Sequence, residues 1–126
     1  MDRLIIEATK LTPYVEFDPQ LGICKLVGQF LPENAMHFFE PLFAWVQQFL
    51  RDLQKETIFQ FTIQYINTSS SKCMMDLIDI LDEAYCNGQK VSVQWYYDEG
   101  DESLFKCAEE FCQDIKLPFE IIALKR

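Results

Sequence analysis

Apolar and polar residues alternate from Tyr14 to Asp18 and again from Ile23 to Gln29, and Pro19-Gln20-Leu21-Gly22 lies between the two runs. Alternation with a period of two predicts strands, and a Pro/Gly-containing tetrapeptide between them predicts a tight connection, so this region is read as an antiparallel hairpin. The period then changes. Phe39, Leu42, Phe43, Val46, Phe49, Leu50 and Leu53 recur every three or four residues, which predicts a helix entered through Pro32-Glu33 and capped by Asn34. Pro41 lies inside that pattern and removes a backbone donor, so a kink or a later start near Glu40 is expected.

Alternation returns over Ile58–Ile66, with Phe59, Phe61, Ile63 and Tyr65 on one face and Gln60, Thr62 and Gln64 on the other. A second helix is predicted over Ser70–Asn87. Its inward stripe is Met74, Leu77, Ile78, Leu81, Ala84 and Tyr85, and Gly88 is placed to end it as a left-handed cap. A strand follows over Val91–Tyr96, then an acidic loop from Asp98 to Glu102 that can help start a third helix near Ser103–Ile115, and a last strand over Phe119–Leu124 behind Pro118.

This order implies one α/β domain spanning residues 1–126, with a mixed, mostly parallel sheet and an N-terminal antiparallel hairpin. Right-handed crossovers between successive neighbouring strands place the helices mainly on one face. The polar alternates Gln60, Thr62, Gln64, Ser92 and Gln94 agree, because a strand covered on both faces is apolar almost throughout.

Composition narrows the functional classes. With 49% hydrophobic residues and only four glycines, the 126-residue chain can bury enough apolar surface to order itself. A net charge of −9 opposes nucleic acid and anionic lipid and favours basic protein surfaces as partners. The first residues, Met1-Asp2-Arg3-Leu4-Ile5-Ile6-Glu7, match neither a secretion signal nor an anchor, and no apolar run is long enough for a membrane span, so a cytoplasmic protein is expected. The same absence of a signal removes meaning from the glycosylation-like triplet Asn67-Thr68-Ser69. The cysteines at 24, 73, 86, 107 and 112 form no CxxC pair and are read as reduced and mostly packing residues.

Candidate chemistry is sparse. His37, the single histidine, has no nucleophile tied to it and is read as a helix-surface or cap residue. Asp98-Glu99-Gly100-Asp101-Glu102 lacks the spacing of a calcium loop, and no zinc ligand set exists; no metal or cofactor is expected, and the chain is not read as an enzyme. One run stands apart. Asn67-Thr68-Ser69-Ser70-Ser71-Lys72 joins a central strand to a helix, where α/β sheets place their sites. Ser69, Ser70 and Ser71 there are explained first by helix capping, and alternatively by an anion-binding helix start with Lys72 one turn on. A phosphate on Thr68 or Ser69 would be accommodated by the helix dipole, and the Ser69–Ser71 start could otherwise hold a small molecule or nucleotide. Asp76, Asp79, Asp82 and Glu83 form an outward acidic stripe, either simply solvated or a docking surface.

Several segments taken together carry a resemblance. Pro32-Glu33-Asn34, Asn67-Thr68-Ser69-Ser70 leading into Met74-Met75-Asp76-Leu77, Trp95-Tyr96-Tyr97-Asp98-Glu99, Glu109-Glu110-Phe111 and Pro118-Phe119 resemble the SiaC-type regulatory phosphoproteins over nearly the whole chain. That family is similar to the STAS-domain anti-sigma-factor antagonists. The resemblance implies a STAS-like fold and a threonine, here Thr68, phosphorylated by a dedicated kinase and dephosphorylated by a PP2C-type phosphatase. It further implies an unphosphorylated form that binds and activates an effector such as a diguanylate cyclase, linking the switch to cyclic-di-GMP and biofilm formation. STAS antagonists proper read Asp-Ser-Ser-Gly where this chain has Asn67, Thr68, Ser69 and Ser70, so an anti-sigma factor is not the partner implied.

Overall fold

The structure is a computed structural model and describes residues 1–52 and 54–125. Six strands and three helices follow in the order β1 (Leu4–Ile6), β2 (Tyr14–Asp18), β3 (Ile23–Phe30), α1 (Ala35–Asp52), β4 (Thr57–Ile66), α2 (Thr68–Cys86), β5 (Val91–Asp98), α3 (Glu102–Phe111) and β6 (Phe119–Leu124). The strands lie side by side in chain order in one sheet. β1 and β2 and then β2 and β3 are antiparallel, whereas β3 to β6 are parallel neighbours. Each parallel step crosses over through one helix, and with a common hand the three helices stack on one face, α1 against α2 and α3 over β4, β5 and β6. This is the expected mixed sheet, with β1 added. Three residues of Leu-Ile-Ile are too short to declare a period, and pairing with β2 is what makes them a strand.

The two faces of the sheet differ as the alternation predicts. The inner face buries Val15, Phe17, Cys24, Leu26, Phe59, Phe61, Ile63, Val93 and Trp95 against the helices. Trp95 is central, with ring centroids 5.0 Å from Phe111, 6.0 Å from Phe119 and 6.3 Å from Phe61, so the aromatics serve packing. The outer face is half-buried and bonds to itself, through Gln60 Nε2 to Gln94 Oε1 at 3.0 Å and Tyr96 OH to Gln94 Oε1 at 2.9 Å.

Local signals set the connections. Asp18 accepts from the N–H groups of Gln20 (2.9 Å) and Leu21 (3.1 Å), closing the β2–β3 turn. Gly88 has φ +97° and donates to Tyr85 O at 3.0 Å, the left-handed helix end its position predicts.

Four readings change. α1 begins at Ala35 and runs through Pro41, not from near Glu40; His37, whose carbonyl loses its helical donor, is exposed, so water can satisfy it. Leu53, assigned to the same stripe by spacing, lies outside the described residues. Tyr65 is 58% exposed and does not share the inner face of Phe59, Phe61 and Ile63, because β4 carries a bulge: Ile63 pairs with Gly28 and Tyr65 with Gln29, leaving Gln64 without a counterpart. Tyr85 is also exposed, and Ser70 and Cys73 complete the buried stripe of α2 in its place. α3 ends at Phe111, four residues before Ile115, and Asp114 takes φ +60° in the turn beyond it.

Candidate functional site

Asn67 organises the junction between β4 and α2. Its backbone N–H donates to Phe30 O at 3.0 Å, which ties the start of α2 to the end of β3. The side chain then caps the helix: Oδ1 accepts from Ser70 N at 2.9 Å, while Nδ2 donates to Pro32 O at 3.5 Å. Asn67 O accepts from Ser71 N at 2.9 Å, opening the helical ladder. The cap is therefore Asn67, two to four residues before the Ser69–Ser71 run expected to fill that role. An asparagine before a run of hydroxyls was the signal, and it was masked because any of four neighbours could cap.

The helical phase set by that cap separates the hydroxyls. Thr68 is exposed, and among the described residues its hydroxyl meets no hydrogen-bond partner. Ser69 is exposed but donates its hydroxyl to Asn67 Oδ1 at 3.3 Å. Ser70 is fully buried, with an Oγ that has no hydrogen-bond partner among the described residues, and Ser71 is half-buried. Ser69, Ser70 and Ser71 thus do not form one presented row, which removes the geometry of a ligand-binding hydroxyl cluster. Lys72 is exposed one turn beyond Thr68.

The charge pattern around the junction is specific. The first turn of α2 contains no acid, so the positive end of the helix dipole lacks a compensating charge. Further along, Asp76, Asp79 and Glu83 are exposed as the stripe predicts. Asp79 has its carboxyl pushed above the usual range by burial and by the nearby charges of Asp76 and Asp82. Asp82 is different from its expected role. Its carboxylate accepts from the N–H groups of Lys116 and Leu117, both at 2.9 Å, so it ties α2 to the loop before β6 and is not a free docking residue.

The remaining candidates are structural. His37 is exposed, with its backbone N–H donating to Asn34 Oδ1 at 3.1 Å. Burial pushes the thiols of Cys24 and Cys73 up and that of Cys107 up to about 11, away from the reactive range, while Cys86 is exposed. Asp101 in the acidic loop caps α3 through Leu104 N at 3.0 Å. Among the described residues there is no group of three or more His, Cys, Asp or Glu side chains able to hold a metal, and no helix long and apolar enough to cross a membrane.

The model of the SiaC family of regulatory phosphoproteins matches residues 6–124. The chain belongs to this family. It is 40% identical over 123 residues to an uncharacterized protein of Pseudomonas aeruginosa (strain UCBPP-PA14), covering 98% of each. Among solved structures, apo-SiaC from Pseudomonas aeruginosa superposes with a TM-score of 0.92 at 39% identity, over 98% of this chain and 100% of that one. SiaC in a crystal structure of the diguanylate cyclase SiaD with its activator SiaC, from the same organism, gives a TM-score of 0.93 at 40% identity, over 96% and 99%.

Proposed function

We propose that this chain is a phosphorylation-controlled partner switch in which Thr68 is the acceptor and the unphosphorylated form binds and activates a diguanylate cyclase. One observation carries the reading. The Thr68 hydroxyl is exposed at the first position of a firmly capped helix whose opening turn has no acid, while Ser69 is engaged and Ser70 is buried. A phosphate there faces a helix N-terminus and has Lys72 within one turn, so it is held locally and leaves the fold intact.

In this reading a dedicated kinase adds the phosphate and a PP2C-type phosphatase removes it, both in the cytoplasm, and the chain itself is not an enzyme. The added charge, about −1.5 to −2 at neutral pH, disfavours a surface that docks with Thr68 uncharged, so phosphorylation releases the cyclase. Support comes from the family membership and from the SiaC relative that activates SiaD.

The test is phosphorylation by the cognate kinase with ATP, followed by mapping in the mass spectrometer. A single phosphate on Thr68, absent from Thr68→Ala, is expected, with cyclase binding lost in the phosphorylated protein. Unchanged labelling of Thr68→Ala sinks the assignment.

A further inference from the structure

The first turns of α1 and α2 enclose a groove of about 420 Å³ beside the junction, lined among others by Glu33, Met36, Ser69, Lys72, Cys73 and Asp76. Its wall is soft and apolar: Met36 is 60% exposed, and its Sδ lies 3.8 Å from the buried Cys73 Sγ. A thioether left in water beside a concave surface can repack around an incoming side chain at low cost. The rim carries two carboxylates, Glu33 and Asp76, against one cation, Lys72, in a chain of net charge −9. Ser69, next to Thr68, forms part of the lining.

We infer that this groove takes an apolar anchor residue from a basic segment of the effector. The occupant follows from charge complementarity: an apolar, Met-lined centre with an acidic border matches an apolar side chain flanked by Lys or Arg. The inference rests on the partner-switch reading and adds to it a place of contact. Thr68 precedes Ser69 of the lining, so a phosphate there stands next to the groove, and in this reading it opposes docking by its bulk and tightly held water, against the attraction of its charge for the basic flank.

Titration calorimetry with the unphosphorylated chain and the diguanylate cyclase SiaD as probe tests the contact. Met36→Glu is expected to weaken binding about tenfold or more while leaving the melting temperature unchanged, because Met36 is exposed. Asp76→Lys is expected to weaken it about fivefold and flatten its salt dependence. Tyr85→Glu, at the far end of α2 and exposed, serves as the control and should stay within about twofold of the native chain. Native-like binding by Met36→Glu overturns the groove alone, since phosphate-sensitive binding of the native chain would still stand. Tighter binding by Asp76→Lys overturns the basic character of the partner. No binding by the native chain removes the cyclase reading and the groove's occupant together.

Discussion

α2 and α3 begin in the same way and differ in charge, one start neutral and the other acidic. In each, an extended residue before the helix accepts from the backbone N–H three residues on, Asn67 from Ser70 at 2.9 Å and Asp101 from Leu104 at 3.0 Å. In each, that third residue is buried, Ser70 at 0% and Leu104 at 6% exposure. The α3 start already carries Asp101 and Glu102, whereas the α2 start has a neutral cap and no acid in its first turn. A helix N-terminus carries the equivalent of about half a positive charge, and α3 compensates it with the Asp101 and Glu102 side chains. α2 leaves it uncompensated. The geometry of the two caps is therefore shared, and the difference in charge marks α2 as the start that can gain from a phosphate.

Changes at the third position should separate the two starts most. Ser70→Asp places a carboxylate where no solvent reaches, so it is expected to cost about 3 kcal/mol or more, read by chemical denaturation. Ser70→Ala removes only an unpartnered hydroxyl and should be neutral or slightly stabilising, which would show that burial and not the hydroxyl is required. Caps come next. Asn67→Ala should cost about 1 kcal/mol at any pH from 4 to 8, because an amide does not titrate. The Asp101 carboxyl is held below the usual aspartate range by the Ser103 hydroxyl and by the Leu104 N–H. Its contribution is present above the pKa of an unfolded aspartate and is lost as the pH falls through the lower folded value, so the penalty of Asp101→Ala should shrink in strong acid. The smallest effect bears most directly on the comparison. Phosphate on Thr68 should stabilise the chain by about 0.3–1 kcal/mol, seen as a small rise in melting temperature that salt reduces. A fall instead would mean that the phosphate disrupts the α2 start.

The strands and helices were legible where a period ran long enough to count. β4 read correctly through Ile63, and α2 through Ala84, because burial on one face enforces the alternation or the stripe. Tyr65 was misread because the bulge at Gln64 arises from pairing with β3, where Gly28 takes φ +134° at the register shift. Tyr85 sits at the margin of a helical stripe, where spacing alone does not decide which side is covered. Asp82 read as an outward acid by helical phase, since the N–H groups it binds come from a loop 34 and 35 residues later.

By itself, the sequence determined the order of elements from β2 onward, the one-sided sheet, the helix end at Gly88 and a hydroxyl-rich helix start after β4, because period, chirality and local caps act over a few residues. The resemblance in its motifs supplied the family and singled out Thr68. Only the tertiary structure separated the four hydroxyls. Asn67 is held by Phe30 O at the end of β3 and by Pro32 O in the connection to α1, and that anchoring fixes the phase of α2, which turns Ser70 into the core and Thr68 out to solvent.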